Sequence, residues 1–497
     1  MCEISKRLAN KLEVHKCALC YDAPCKKMYK NIDPERIIRA IRFDNKKGAR
    51  SLINDINTCH EKNTNCNEKC PLNIDIDMIL DNLIDETSEI TDFNDIDIST
   101  EICGVKLENP FMLSSSIVGS TYEMCKRAFE QGWGGVCTKT ICIMPILESS
   151  PRFSVLKDWD ETFIGFKNIE QLSEYSVEEN MEMIRKLKEE FPTKVIMASI
   201  MGRDEEEWKY LAKEVTKAGA DLIELNFSCP NMKYKGTGTD VGQNPDLVEE
   251  YTKAVKESTN LPVFAKMTPN ITDMKIPAKA AKKGGANGIS AINTIKSITG
   301  VDINTLVPEP QVNGKSSLGG YSGRAVKPIG LRFIAEMSTS EDLKDMYYSG
   351  IGGIYTWRDA VEYMLLGCTS VQLTTAIMEY GNRIIDDLIL GLKIFMKEHN
   401  YTKVSDFIGL SKNNLIGNSE LDKTTIEFPK FNYDKCIGCG RCYMACKDGG
   451  HQAIKFDENR KPILDVSKCV GCQLCKNVCP GCAIETAAKR IEKASLK

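Results

Sequence analysis

Eight cysteines near the C-terminus form two runs with the same spacing. The first run is Cys436, Cys439, Cys442 and Cys446; the second is Cys469, Cys472, Cys475 and Cys479, which Pro480 follows. Such runs bind paired [4Fe-4S] clusters, each held by three thiolates of one run and the last thiolate of the other. The spacing predicts one cluster on Cys436, Cys439, Cys442 and Cys479 and another on Cys469, Cys472, Cys475 and Cys446. Two zinc sites are the alternative, but zinc sites seldom use interlocked four-cysteine runs.

A second candidate for chemistry is Cys229, in the segment Asn226-Phe227-Ser228-Cys229-Pro230. A thiol with an ordinary pKa of about 8.5 is mostly protonated at neutral pH, which suits a proton donor. A lone cysteine is more often a small buried hydrophobic residue. Here, however, a glycine-rich segment, Gly236-Thr237-Gly238, follows closely, as a mobile active-site loop requires. We therefore expect Cys229 to take part in catalysis.

The middle of the chain contains the elements that must position Cys229. Short β-rich runs alternate there with helical patterns such as 177–190 and 245–256, as in repeated βα units around a parallel sheet. Eight runs are predicted to be strands: 111–116, 134–141, 195–201, 222–229, 263–268, 288–293, 346–353 and 370–377. The number favours a closed (β/α)8 barrel over residues 98–410, although periodicity alone also allows an open doubly wound sheet. A ferredoxin-like domain is expected over residues 428–490.

Polar residues mark the carboxyl ends of several predicted strands. Lys139, Asn226, Lys266 and the pair Asn293-Thr294 occupy such positions. A single lysine at a strand end is more often a solvated tip, but barrel enzymes place their catalytic groups at this face. Gly352-Gly353 stand at the end of the seventh predicted strand, and Thr374-Thr375 stand in the eighth. Barrels commonly bind phosphate at these positions through backbone N–H groups. The phosphate of FMN fits this position.

Composition limits the class of protein. The 497 residues carry a formal net charge of -4, so there is no basic surplus to bind nucleic acid. No apolar run reaches the roughly 18 residues that span a bilayer, and the first residues lack the pattern of a signal peptide. We expect a cytoplasmic protein whose 22 cysteines serve metal binding or catalysis rather than disulfides.

The predicted barrel and C-terminal domain together resemble a known family. The motifs that carry the resemblance are Asn109-Pro110-Phe111, Gly132-Trp133-Gly134, Thr138-Lys139-Thr140, Asn168-Ile169-Glu170, Ala198-Ser199-Ile200-Met201, Asn226-Phe227-Ser228-Cys229-Pro230, Lys266-Met267-Thr268-Pro269-Asn270 and Ser322-Gly323. In order and spacing they resemble the catalytic subunit of bacterial NAD-dependent dihydropyrimidine dehydrogenase and the matching half of the fused eukaryotic enzyme.

The resemblance implies an enzyme that reduces the 5,6 double bond of uracil or thymine to the dihydropyrimidine. The implied reaction is reversible and uses FMN as cofactor. It implies that Cys229 protonates C5 while reduced FMN delivers hydride to C6. The implied substrate-binding residues are Asn168, Glu170, Asn226, Phe227, Ser228, Asn293 and Thr294. The implied FMN-binding residues are Ser114, Lys139, Thr140, Asn226, Lys266, Gly323, Gly352, Gly353, Thr374 and Thr375. Lys266 is expected beside N1 of the flavin, where a cation stabilises the reduced anion.

The N-terminal residues 1–90 form a separate cysteine-rich segment. Cys17, Cys20, Cys25 and Cys70 are similar to the iron-sulfur segment that precedes the FAD domain of the fused enzyme, and that resemblance implies a third [4Fe-4S] cluster. Tyr29 replaces the first cysteine of a further cluster, so Cys59 and Cys66 are interpreted as remnants. Zinc, or no metal, remains open for this segment.

A dinucleotide-binding motif is missing, since Gly236, Gly238 and Gly242 have the wrong spacing for G-x-G-x-x-G. The resemblance therefore implies a separate flavoprotein subunit that binds FAD and NAD and passes electrons through the clusters, plausibly in a heterotetramer. Two other functions are kept: a dihydroorotate dehydrogenase, which shares the barrel, FMN and the Ser-Cys-Pro-Asn loop, and a non-catalytic electron-transfer module. Asn168-Ile169-Glu170 and the fused C-terminal domain argue against the first.

Overall fold

The computed structural model describes residues 11–29, 32–53, 70–86, 93–158, 162–232 and 236–492. Cys59 and Cys66 lie outside these ranges. The described chain divides into two compact units, one from Glu13 to Leu415 and one that contains the chain from Ile416 onward.

Eight parallel strands of the first unit close into a barrel. They are Phe111–Leu113, Gly135–Cys137, Val195–Ile200, Leu222–Asn226, Val263–Lys266, Gly288–Ala291, Tyr347–Ile351 and Ser370–Leu373. Each strand pairs with the next along the chain, and Leu373 of the eighth pairs with Leu113 of the first. This confirms the predicted (β/α)8 barrel and excludes the open doubly wound sheet.

Helices follow the strands and surround the barrel. They are Tyr122–Gln131, Val177–Glu190, Glu205–Ala218, Pro245–Lys256, Lys275–Lys283, Lys327–Ser338, Trp357–Leu365, Thr375–Tyr380 and Ile384–Glu398. The predicted helices 177–190 and 245–256 are observed with the same bounds. The first begins at a capping box in which Ser176 and Glu179 each accept the other's backbone N–H. In the second, Asn244 caps the amino end and Pro245 occupies the first turn.

The barrel strands are shorter at their carboxyl ends than the sequence predicts. The fourth ends at Asn226 rather than at residue 229. There the Asn226 side-chain oxygen accepts the Ser228 backbone N–H at 3.2 Å, so the chain turns before it can extend the ladder. The residues beyond the strand are thereby released to form a site.

A four-stranded antiparallel sheet, the cover sheet, is formed by two insertions. Phe153–Lys157 and Phe163–Asn168 follow the second barrel strand, whereas Ile295–Ser297 and Gly319–Ser322 follow the sixth. The buried Lys167 ammonium donates to the carbonyls of Glu309 and Ser317 at 2.5 and 2.8 Å and so joins the two insertions. Smaller antiparallel pairs are Thr100–Ile102 with Val105–Leu107 and Val301–Asp302 with Val307–Pro308.

The N-terminal cysteine-rich segment is helical and packs against the barrel within one compact unit. Its helices are Pro34–Arg42, Lys46–Ser51 and Ile76–Glu86, with a 3-10 turn at Pro24–Met28. Further short turns of the first unit are Ile117–Gly119, Thr239–Gly242, Arg324–Val326, Val404–Asp406 and Lys412–Asn414. The Arg383 guanidinium, beside the last barrel helix, donates to the Leu19 carbonyl at 2.6 Å. The segment is therefore held by polar contacts as well as by apolar packing.

The second unit contains the C-terminal cysteines. Thr425–Phe431 pairs with Ile484–Glu492, and Ile454–Phe456 pairs with Pro462–Leu464. The helix Arg441–Gly449 carries Cys442 and Cys446 of the first run, and the helix Leu474–Asn477 carries Cys475 of the second. Across both units, no described helix is long and apolar enough to cross a membrane.

Candidate active site

A cavity of about 1040 Å³ lies between the carboxyl ends of the barrel strands and the cover sheet. Most of the predicted site residues line it: Ser114, Lys139, Thr140, Asn168, Glu170, Asn226, Cys229, Asn293, Thr294, Gly352, Gly353, Thr374 and Thr375. They come from different strand ends and from the cover sheet, so only the closed barrel brings them together. Four predicted residues, Phe227, Ser228, Lys266 and Gly323, are not among the lining residues.

The Phe227 side chain lies on the far side of the strand end from the cavity. It is fully buried and packs edge-on against the Trp208 ring, with centroids 5.3 Å apart. The Phe227 ring is thus outside the cavity lining, and a contact between Phe227 and the substrate stays a prediction. The Phe227 ring instead fills the layer between the barrel and its helices.

Ser228 does not line the cavity, and its hydroxyl instead holds the side chain of Asn226, which does. Its hydroxyl donates to the Asn226 side-chain oxygen at 2.9 Å, and Asn226 in turn donates from its amide nitrogen to the Thr140 hydroxyl at 2.8 Å. Thr140 also contacts the Ser199 hydroxyl at 3.0 Å. The Asn226 amide is therefore held in one orientation by Ser228 and Thr140, and the expected ring contact of Ser228 stays a prediction.

Lys266 lies below the floor of the cavity. Its ammonium is 3.2 Å from Glu224, and both side chains are buried. Glu224 also accepts a hydrogen bond from the Gln372 amide at 3.3 Å, and Gln372 does line the cavity. The Lys266 charge is thus paired with Glu224 inside the barrel, and its expected position beside the flavin stays a prediction.

Gly323 adjoins the cavity without lining it. Its φ is 95°, and a side chain there would come within 3.0 Å of the Gly165 Cα in the cover sheet. Glycine is required by this close approach. The preceding residue, Ser322, reaches the cavity, and its hydroxyl lies 2.9 Å from that of Thr375.

The Cys229 side chain faces the cavity and is 6% exposed. Burial raises the pKa of the Cys229 thiol to about 11, because the thiolate loses its solvation there. The thiol consequently keeps its proton at neutral pH. Next to it, Asn231 donates to the Glu170 carbonyl at 2.7 Å and so ties the cysteine loop to the segment that follows the cover sheet.

Charged groups cluster on one wall of the cavity. The Lys139 ammonium lies 3.6 Å from Glu170, and Arg152 lies 3.2 Å from the same carboxylate oxygen. On its other side, Lys139 is 3.9 Å from Glu148, whose side chain is 1% exposed. Sequence reasoning missed Glu148, Arg152 and Gln372, since the first two flank an ordinary polar turn and the third stands in a buried strand.

The cavity residues fit FMN. Gly352 and Gly353 have φ values of 118° and 70°, which expose backbone N–H groups as in phosphate-binding loops. The Gln372 side-chain oxygen at the floor is buried with no hydrogen-bond partner among the described residues. A flavin ring carries N–H donors that such an acceptor needs.

Three smaller cavities are lined by the predicted cluster ligands. One of about 390 Å³ contains Cys436, Cys439, Cys442 and Cys479; one of about 350 Å³ contains Cys446, Cys469, Cys472 and Cys475. A third of about 380 Å³ contains Cys17, Cys20, Cys25 and Cys70. In the described part of the chain no three ligating side chains converge closely enough to hold a single metal ion. A cubane cluster needs instead four sulfurs spread around a volume.

Comparison with known families agrees with this architecture. Residues 97–396 match the family described as dihydroorotate dehydrogenase, and residues 430–485 match a 4Fe-4S dicluster domain. The chain therefore belongs to the dihydroorotate dehydrogenase family and carries a ferredoxin-like C-terminal domain.

Within that family the chain resembles particular enzymes. It is 53% identical over 398 residues to the NAD-dependent dihydropyrimidine dehydrogenase subunit PreA of Escherichia coli, which covers 80% of this chain and 97% of the relative. It is 40% identical to the chloroplastic dihydropyrimidine dehydrogenase (NADP(+)) of Arabidopsis thaliana over 63% of this chain and 77% of that protein. It is 38% identical to the catalytic subunit of dihydroorotate dehydrogenase B of Pyrococcus abyssi over 63% of this chain and 99% of that protein.

Proposed function

We propose that this chain is the pyrimidine-reducing subunit of a dihydropyrimidine dehydrogenase. It reduces the 5,6 double bond of uracil or thymine to the dihydropyrimidine, and the reaction is reversible. The observation that carries the proposal is a protonated, buried thiol, Cys229, in the same cavity as the amide side chains of Asn168, Asn226 and Asn293. The similarity to PreA supports it.

The amide groups suit the edge of a pyrimidine ring. That edge alternates carbonyl acceptors with N–H donors, and an asparagine amide offers both kinds of group. Thr294 adds a hydroxyl, and Glu170 can accept from a ring N–H. Because Thr140 and Ser228 fix Asn226, we propose that this residue is a preorganised ring contact.

FMN bound in this cavity would supply hydride to C6 of the ring. Ser114, Lys139, Thr140, Asn226, Thr374, Thr375, Gly352 and Gly353 would hold it, and Lys266 would act from below through the Glu224–Gln372 contacts. Cys229 donates its proton to C5, so the pair of electrons released from the double bond forms a C–H bond there.

We propose three [4Fe-4S] clusters, one for each four-cysteine cavity. Electrons would come from NADH through a separate flavoprotein subunit that binds FAD and NAD, and the two kinds of subunit would form a heterotetramer. No dinucleotide-binding motif occurs in the sequence, which supports a separate subunit. The proposed location is the cytoplasm, because these sites need reduced thiols.

The rival activity is oxidation of dihydroorotate, which the family match and the Pyrococcus abyssi relative favour. One assay separates the two. Purified protein with FMN is given reduced methyl viologen and uracil, or dihydroorotate and an artificial electron acceptor. We expect viologen oxidation with uracil and no turnover of dihydroorotate; the opposite preference would replace our proposal with the rival. A chain that keeps clusters but binds no FMN would instead be an electron-transfer module.

A further inference from the structure

Glu148 is a buried acidic residue with no role in the site described so far. Its side chain is 1% exposed, and one carboxylate oxygen accepts the Gln171 backbone N–H at 2.8 Å. That same oxygen is 3.9 Å from the Lys139 ammonium. The second oxygen is buried with no hydrogen-bond partner among the described residues. A buried carboxylate oxygen without a partner is costly, but a carboxyl group can hold a proton there.

The groups that face Glu148 come from several elements. Lys139 follows the second barrel strand, Arg152 precedes the cover sheet, and Glu170 follows the second strand of that sheet. Burial raises the pKa of Glu148, and the negative charge of Glu170 raises it further. The positive charges of Lys139 and Arg152 act in the opposite direction. The negative charge of Glu148 also raises the pKa of the Cys229 thiol, whereas the positive charges of Lys139 and Lys266 lower it.

Glu170 differs from Glu148 in its contacts. Its Oε1 is close to both Arg152 and Lys139, and the residue lines the cavity where the ring would bind. Glu148 does not line the cavity and faces only one cation at ion-pair distance. Lys139 lines the same cavity as Cys229, and its ammonium is the cation 3.9 Å from Glu148.

We propose that Glu148, acting through Lys139, returns a proton to Cys229 after each proton transfer to the ring, a role that rests on the proposed function. Cys229 loses its S–H proton to the ring carbon and becomes a thiolate. The Lys139 ammonium then gives one N–H proton to the sulfur, and the Glu148 carboxyl gives its O–H proton to the lysine amine. Glu148 is left ionised and regains a proton from water, so the cycle consumes one proton and no electrons beyond the hydride.

The test separates the first turnover from those that follow. Enzyme reduced beforehand is mixed with uracil, and product is measured by rapid quench in wild type, Glu148→Gln and, as matched control, Glu174→Gln, an exposed carboxylate 3.5 Å from Arg152. In Glu148→Gln we expect a first turnover close to that of wild type and a steady state slower by about tenfold or more. The control should match wild type in both rates. Equal slowing of both phases in Glu148→Gln, or of neither, would overturn the proposal.

A second measurement does not depend on turnover. Alkylation of Cys229 by iodoacetamide is followed against pH by peptide mass spectrometry in the same three proteins. Once Glu148 is ionised at alkaline pH, its negative charge opposes ionisation of the thiol, so Glu148→Gln should shift the alkylation profile to lower pH, and the Glu174→Gln profile should not move. Unchanged profiles would overturn the action of Glu148 on the thiol. If wild type reduces no pyrimidine, the proposed function is wrong. The alkylation measurement still shows whether the charge of Glu148 acts on the Cys229 thiol. If Glu148→Gln loses FMN, Glu148→Met, which also removes the carboxyl group, is measured instead, with the same two outcomes.

Discussion

The Arg39 guanidinium donates to the Asp387 carboxylate at 2.6 Å, and both side chains are almost fully buried. Arg39 belongs to the N-terminal segment, whereas Asp387 lies in the last barrel helix. Glu35 adds a second carboxylate 3.1 Å from Arg39 and also lines the N-terminal four-cysteine cavity. One buried charge network therefore joins this cavity to the barrel.

Replacing Arg39 by methionine should destabilise the protein strongly. The change leaves Asp387 buried without the Arg39 cation, which costs about 3–5 kcal/mol, while Glu35 keeps its ion pair with Arg383 at 3.2 Å. Denaturant unfolding monitored by tryptophan fluorescence measures it. The control is Lys344→Met, which removes an exposed pair with Glu341 and should cost at most about 1 kcal/mol. Similar losses in the two variants would contradict a structural role for the buried network.

The N-terminal cysteine cavity should hold a cluster. Anaerobically purified Cys17→Ser/Cys20→Ser protein should contain about four fewer iron atoms than wild type, the content of one cubane cluster. Iron and sulfide analysis measures the difference. Cys103→Ser serves as control, because Cys103 lines none of the three cysteine cavities. Unchanged iron in the double variant would exclude an iron-sulfur site there.

Sequence predicted the barrel well, because βα periodicity and strand-end polarity are local signals. It also predicted the three cysteine sets, since each is fixed by spacing or family pattern. It did not predict that the Phe227 ring packs against Trp208 outside the cavity lining, because a family resemblance assigns a position to the site but not the direction of its side chain. Nor did it predict Glu148, whose importance arises only from a contact with Lys139.

Cys229 should be needed for proton donation but not for flavin binding. Cys229→Ala should retain FMN that can still be reduced, yet lose about 10²–10⁴-fold in pyrimidine reduction. Cys229→Ser should keep a trace, because a hydroxyl is a much weaker acid. Flavin absorbance and a rapid-quench product assay measure the two properties separately. Activity of the alanine variant within a few fold of wild type would remove Cys229 from the mechanism.

The pH profile should show a thiol that holds its proton firmly. Burial raises the pKa of Cys229 to about 11, so the donating form persists below that pH and is lost only as pH rises through it. Single-turnover rates should therefore not fall between about pH 7 and 9 on account of this group. A loss with its midpoint near the ordinary thiol pKa of about 8.5 would show that the site does not protect the proton.

The chain alone should reduce uracil with reduced methyl viologen but not with NADH. Electrons then enter singly through the clusters, which carry one electron at a time. Adding a flavoprotein that oxidises NADH should restore NADH-dependent turnover, and Cys439→Ala, which removes a lining thiol of one C-terminal cavity, should abolish that turnover. Uracil-coupled oxidation of NADH by the isolated chain would contradict a separate electron-donating subunit.

The exchange of cysteines between the two C-terminal runs also affects how this unit is made. Cys446, from the first run, lines the cavity of the second, and Cys479, from the second, lines the cavity of the first. If the lining cysteines are the cluster ligands we propose, neither half of the unit could complete its own ligand set, and inserting one cluster would draw both runs into place for the other. Iron loading during biogenesis should therefore be close to all-or-none. Molecules with only one of the two clusters should be rare, and few incompletely folded units should be exposed to proteolysis.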